Sequence, residues 1–436
     1  MKVFRNAGEE LEKRWLAAGY DEAVFPELAA EILESARIHE STTAWELMEW
    51  GMTQTELPLQ QNLSTSFGDP PITLFNGSRF HIDVYYWIEG TTAIHQHSFC
   101  GAFQVFHGSS IHSEYNFETD RELNFFAKTG TLELKACNLL EKGAVQKILP
   151  GDQYIHSLFH LDQPSATIVA RTTYGALNLP QFSYFKPGYA GDPFFETPVA
   201  VRKLQMLSSS IRSGHANADR YLEDYLRNCD FFTAFGTLRS LRPLLRQKSF
   251  KEFFGLGETG GRFERFVQIV EEQHPELGDL PKKLFEETLR SEHIVALRNV
   301  VSEPEHRFFL ALLMNVEGAD NVLSLIKERF PKDDPIEKLL DWVSDLANTR
   351  VIDNSFSNGL GIEGFTDFDT AVLEGILHGK SADEIESELL SGLSETEEAK
   401  NRIRASIKRI SESVIFRWLK RNESRLPRRA KSRDSR

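Results

Sequence analysis

Seven of the thirteen histidines in this 436-residue chain fall between positions 81 and 160: His81, His95, His97, His107, His112, His156 and His160. Neutral imidazoles are the commonest protein ligands for transition metals, so a strand-rich stretch dense in histidine is where chemistry is expected. His95 and His97 form an HxH pair, and on a β-strand positions i and i+2 face the same side, so the two rings can converge on one cation. The pair alone is a weak signal. About fifty residues later LPGDQYIHSLFH places His156 and His160 after a Pro-Gly-Asp turn, and a third ligand is expected from one of them. Further on, Arg171 can pair with a substrate carboxylate and Tyr174 can donate a proton or hydrogen bond. For both, a strand-end salt bridge and a packed aromatic are the plain alternatives.

Helices on either side of a strand-rich stretch must position these residues. Residues 1–56 form a helical lead-in, with Leu11, Trp15, Leu16, Leu28, Ile32 and Leu33 recurring at helical spacing. LPLQQNLSTSFGDPPITLFNGS then reads as loop. Between about 79 and 190, RFHIDVYYWIEG, TTAIHQHSF, AFQVFHGSSIHSEYNF, LELKACNLL, VQKILPGDQYIH and SATIVARTTYG predict six short strands of a small sandwich or barrel. On the first of these, alternation puts Tyr85 and Trp87 on one face and Tyr86 on the other. LPQFSYFKPGYAGDPFFETP reads as a covering loop out of the sheet. From 196 to 420 the period is helical, and Ile403, Ile407, Ile410, Val414 and Trp418 form one stripe on a final long helix. Residues 421–436 read as a disordered basic tail. The domains expected are therefore 1–56, 57–195, 196–420 and the tail.

The blocks GTTAIHQHSFCGAFQVFHG and LPGDQYIHSLFHLDQPSATIV resemble the two motifs of the cupin superfamily. FHIDVYYWIEGTTAIHQH is similar, more narrowly, to the segment leading into the HxH pair of the cysteine dioxygenase (thiol dioxygenase) family. The resemblance covers roughly residues 75–190. It implies an α+β chain, with a cupin-like β-barrel (double-stranded β-helix) between an N-terminal helical lead-in and a large all-α C-terminal domain. It also implies a metal held by His95, His97 and a histidine of the second motif. Cupins with mixed ligands carry a glutamate four or five residues after the second histidine, where this chain has Gly101 and Ala102, so a three-histidine set is expected. In a cupin the last ligand follows a turn and opens the next strand, which favours His160. His156 would then take the usual proline position, and the reverse assignment stays open. Fe(II) suits such a set, and zinc or manganese also fit it.

Composition limits the remaining classes. Fifty Lys and Arg against 64 Asp and Glu give a net charge of -14, which argues against general nucleic-acid binding. Cys100, Cys137 and Cys229 form no CxxC pair, and no segment reads as a signal peptide or membrane span, so a cytoplasmic setting is expected. A buried Cys100 and a hydrogen-bonding Gln104 are minor candidates near the HxH pair. The helical half offers no P-loop, GxGxxG or HExxH. Its Phe231, Phe232, Phe253, Phe254, Phe308 and Phe309 read as core, with a docked protein partner as the functional alternative. The function expected is that of a non-haem iron oxygenase acting on a small molecule and O2. A non-oxidative zinc or manganese enzyme, or a metabolite-sensing scaffold whose helices bind a partner, is the alternative.

Overall fold

The computed structural model describes residues 1–61, 63, 68–69, 71–88, 91–173, 180–246, 261–351, 356–391, 396–416 and 419. Tyr174, Phe253, Phe254, Trp418 and the basic tail lie outside the described residues. The chain falls into two compact units, Met1–Glu292 and His293–Arg436.

The first unit opens with α1 (Lys2–Ala17), α2 (Phe25–Ala36), α3 (Ile38–Ser41) and α4 (Ala44–Thr53). Eleven strands follow: β1 (Ile72–Asn76), β2 (Phe80–Trp87), β3 (Ile94–His97), β4 (Gly101–His107), β5 (Ser110–Asn124), β6 (Ala127–Leu140), β7 (Val145–Ile148), β8 (Gly151–His160), β9 (Ser165–Thr172), β10 (Ser183–Phe185) and β11 (Tyr189–Gly191). They form a five-stranded sheet in the order β1-β2-β9-β4-β7 and a second ladder, β10-β11-β6-β5-β8-β3, that closes where β3 pairs with β10. Every pairing is antiparallel.

Three of these strands were not expected from the sequence. β1 lies in the stretch read as loop, because ITLFN pairs with β2 despite the flanking Pro71 and Gly77. The expected covering loop contains β10 and β11, only three residues each, whose apolar residues pack in the ladder. Strands this short carry too few residues to show a period.

β2 is buried along its whole length because both faces of its sheet are covered. Phe80, Ile82, Val84 and Tyr86 face the N-terminal helices and share a core with Phe4, Leu11, Trp15, Phe25, Leu33 and Leu47. Tyr85 and Trp87 face the other way, packing with Phe103, Val105, Tyr154, Leu158 and Val169. The alternation read from the sequence therefore holds, and the Tyr86 hydroxyl donates to the Ala44 carbonyl at 2.8 Å. The helical lead-in thus acts as the outer wall of the sheet, although Leu16 is exposed.

After the strands come α5 (Pro198–Arg212), α6 (Ala218–Arg227), α7 (Phe231–Leu245) and a helix at Arg262–Gln273. Their core includes Ala127 and Tyr189 from the strands, with Phe231 and Phe235 against Tyr189 at 5.3 and 5.1 Å between ring centroids. The change from strand to helix near 195 is thus a change of element within one compact unit. In the second unit the helix Pro304–Asn315 is buried from Arg307 to Leu313, including Phe308 and Phe309. The final helix, Glu397–Glu412, buries Ile403 and Ile410 but ends before Val414, which is exposed. No helix among the described residues is long and apolar enough to cross a membrane.

Phe25 is fully buried between Trp15 and Phe80. Phe25→Ala is expected to destabilise the first unit by about 3–5 kcal/mol, read as a lower urea midpoint. A midpoint unchanged from wild type would show that the helices do not hold the sheet.

Candidate metal centre

β3 is only four residues long, and its neighbours hold it on both sides. Its alternation divides its side chains cleanly. Gln96 points toward β10, donating to the Pro180 carbonyl and accepting from the Tyr184 hydroxyl. His95 and His97 point the other way, into the space between the two sheets. His95 sits directly opposite His156 on β8, and directly opposed residues on antiparallel strands present their side chains to the same face. The three imidazoles meet, with ring centroids 4.5 Å apart for His95 and His97 and 4.7 Å for His95 and His156. One ring nitrogen from each lies within 4.8 Å of the others. All three residues are buried.

The histidine that joins His95 and His97 is therefore His156, where the sequence had favoured His160. That preference assumed a turn between the two histidines. SLF instead continues β8 without interruption to His160, and the turn lies earlier, at Gly151, whose φ is +65°. Four residues along a strand span ~13 Å, so His160 shares a face with His156 but cannot reach the same cation. It is a core residue. Its Nδ1 meets the hydroxyls of Ser110 at 3.0 Å and Ser165 at 2.7 Å, and its ring stacks on Trp87 at 4.6 Å.

The donor set has the right chemical state for a metal. The Nδ1 of His95 lies 2.8 Å from the Ala93 carbonyl oxygen, so it carries the proton and leaves Nε2 as the donor. The Nε2 atoms of His97 and His156 are 2.9 Å apart. Two nitrogens bound at 2.0–2.1 Å and about 90° to each other would be separated by ~2.9 Å, so this spacing suits adjacent ligands of one ion. Burial holds all three imidazoles below the usual histidine range; His97 and His156 lie well below it, because neighbouring imidazoles add to the effect there. They are neutral near pH 7.

No carboxylate can join them from the position where mixed-ligand cupins place one. A Cβ on Gly101 would lie 2.0 Å from the Ala170 carbonyl oxygen, and Ala102 faces the N-terminal helices. Cys100 is not a ligand either. It packs against those helices with its Sγ 3.5 Å from the Glu22 carbonyl, and burial pushes its thiol up to about 11. Gln104 also faces outward, donating to the Leu33 and Gly143 carbonyls.

Sequence reading missed the groups around the triad. His112, given no role in the sequence analysis beyond its place in the histidine-rich stretch, is fully buried, with its Nε2 3.2 Å from His156 Nδ1 and 2.9 Å from the Tyr154 hydroxyl; burial lowers it to about 4. Only the register of β5 against β8 reveals this contact. On the facing sheet Arg171 Nε donates to His81 Nε2 at 3.0 Å, and His81 lies 3.1 Å from the Asp83 carboxylate. The Tyr85 hydroxyl donates to Asp83 at 3.2 Å. The Arg171 guanidinium also covers Phe99 at 4.5 Å, and the same ring lies 4.5 Å from His97. Arg171 thus stands one aromatic ring from the triad. Two surface clefts, one bounded by His39, Thr43 and Lys142 and the other by Asp120, Thr131 and Glu276, share no residue with it.

No family model and no curated protein matches the chain. Among solved structures, a recombinant oxalate oxidase in complex with glycolate aligns at 17% identity and a TM-score of 0.19, over 35% of this chain and 74% of that one. The DMSP lyase DddQ from Ruegeria pomeroyi DSS-3 aligns at 15% identity and a TM-score of 0.20, over 41% of this chain and 95% of that one. Likenesses this slight bear on neither the metal nor the reaction.

Two outcomes are expected from this geometry. His160→Ala leaves the Ser110 and Ser165 hydroxyls without their partner and should cost about 1–3 kcal/mol in unfolding free energy, while a metal titration remains as in wild type. Loss of metal binding in His160→Ala, with retention in His156→Ala, would reverse the assignment. The second outcome concerns pH. The buried imidazoles titrate below the ~6.5 of an unfolded histidine, so the unfolded chain binds more protons as pH falls through 6.5. Stability of the metal-free protein is then full above about pH 6.5 and is lost below it, by up to about 1.4 kcal/mol per pH unit for each such group. Urea midpoints at pH 7.5 and 5.5 test this, and equal midpoints would contradict it.

Proposed function

We propose that this chain is a metal-dependent enzyme of the cupin type, whose His95, His97 and His156 hold Fe(II) and whose reaction is an O2-dependent oxidation of a small molecule, of the thiol dioxygenase kind. One observation carries the reading: three buried, neutral imidazoles from two strands distant in sequence, with no carboxylate among them, turn their donor atoms toward one point. With three neutral nitrogen ligands a divalent iron retains two positive charges and up to three positions for substrate and O2.

The chain's own residues do the rest. The Ala93 carbonyl fixes the His95 tautomer. Phe103, Tyr154, Leu158 and Val169 line the space between the sheets with apolar surface and keep water from the donors. Arg171 is assigned to the negative group of the substrate, because its guanidinium stands beside the triad across Phe99 and is oriented by His81 and Asp83. A carboxylate held there would meet a charge-assisted donor pair.

The test is metal analysis of freshly purified protein, followed by O2 uptake by the Fe(II)-loaded protein with a panel of small thiols bearing a carboxylate. Iron near one per chain is expected, lost together with O2 uptake in His95→Ala, His97→Ala and His156→Ala. Arg171→Gln should keep the iron and weaken substrate binding. Zinc or manganese without O2 uptake would overturn the oxygenase and favour a non-oxidative enzyme on the same three histidines. A protein that takes up no metal would overturn the centre itself.

A further inference from the structure

We infer that His112 is a positioning residue that selects the metal-binding tautomer of His156. The inference rests on the three-histidine centre proposed above and concerns residues outside it. His112 projects from β5 into the same interior as the triad, where it is fully buried. Its Nε2 faces two groups at once: His156 Nδ1 at 3.2 Å and the Tyr154 hydroxyl at 2.9 Å. Its own Nδ1 is buried and meets no hydrogen-bond partner among the described residues.

A neutral imidazole has one N–H and one lone pair, so only two arrangements satisfy these contacts. In the first, His112 carries its proton on Nε2 and donates to both the Tyr154 oxygen and His156 Nδ1. The proton of His156 then sits on Nε2 and points at His97 Nε2, 2.9 Å away. That arrangement closes the centre with an imidazole-to-imidazole hydrogen bond. In the second, His112 carries its proton on Nδ1, a buried N–H that meets no acceptor among the described residues and so carries a cost, while its bare Nε2 accepts from His156 Nδ1–H and from the Tyr154 hydroxyl. His156 Nε2 is then bare and available as a donor atom.

Between the two arrangements His156 and His112 each exchange the position of one proton, Tyr154 reorients and keeps its own, and no proton is gained or lost. Only the second frees the ligand atom of His156. His112 concentrates its contacts on Nε2, the atom that faces His156.

Zinc, used alone as a diamagnetic probe on the full-length chain, tests this by chelator competition and by 15N-histidine NMR. His112→Phe, which removes the acceptor, is expected to lower zinc affinity by about 10–100-fold. His112→Gln, which can present an amide oxygen to His156 Nδ1–H, should recover most of that loss, and Tyr154→Phe should change affinity by less. In zinc-loaded wild type the His156 proton should reside on Nδ1. Wild-type affinity in a folded His112→Phe, or a zinc-loaded His156 protonated at Nε2, would overturn the inference. If His112→Phe does not fold, His112→Gln and the wild-type spectrum decide it. His95→Ala separates the two levels. Zinc lost there but unaffected by the His112 variants refutes the role of His112 alone, whereas zinc indifferent to His95→Ala refutes the centre, and the inference with it.

Discussion

The pairing of β3 with β8 is the constraint on which the candidate centre depends. It sets His95 opposite His156, while alternation along β3 adds His97 to the same face. A slip of one residue would turn the β3 imidazoles to the opposite face of the ladder, where the Tyr184 side chain lies, and bring Gln96 inward. The register is held from both sides: Gln96 is tied to Pro180 and Tyr184, and β8 is paired along most of its length with β5. Gathering imidazoles inside a protein opposes their protonation, because each is removed from water and faces others. The fold thus accepts weaker stability in acid and keeps the donors neutral near pH 7.

The facing sheet contributes a different chemistry. Its β2 is covered on both sides, by helices outside and by the histidine-bearing ladder inside, so polar groups on its inner face have to satisfy one another. Asp83 gathers Thr73, Tyr85, His81 and Arg171 around one carboxylate. Such a network is costly to bury unless its members pair, and it holds Arg171 at the edge of the interior beside Phe99. The close approach of β4 to β9 at Gly101 has the complementary effect of leaving no space for a further acidic ligand. The two sheets therefore divide the work, with neutral nitrogen donors on one and organised charge on the other.

What was legible in the sequence came from short-range periodicity. Alternation along β2 divided Tyr85 and Trp87 from Tyr86 correctly, and helical spacing found the lead-in whose Leu11, Trp15, Ile32 and Leu33 are buried. The HxH pair pointed to the right strand because i and i+2 share a face whatever the strand pairs with. The stripe on the last helix was right at Ile403 and Ile410 and failed at Val414, where the helix had already ended. The strands of three residues and the one flanked by proline and glycine were missed because their pairing partners, rather than their own composition, make them strands.

The sequence by itself determined a histidine-rich β-region between helical segments and two of the three converging imidazoles, since both depend on residue type and local spacing. It also narrowed the third to His156 or His160. Tertiary structure decided between them, because the choice depends on whether SLF turns or continues, and only the pairing of β8 with β5 keeps it extended. The same is true of His112 and of the Arg171, His81 and Asp83 network, whose members come together through cross-strand register. Local sequence fixes which way a side chain points along its own strand, and the partner strand fixes what it meets there.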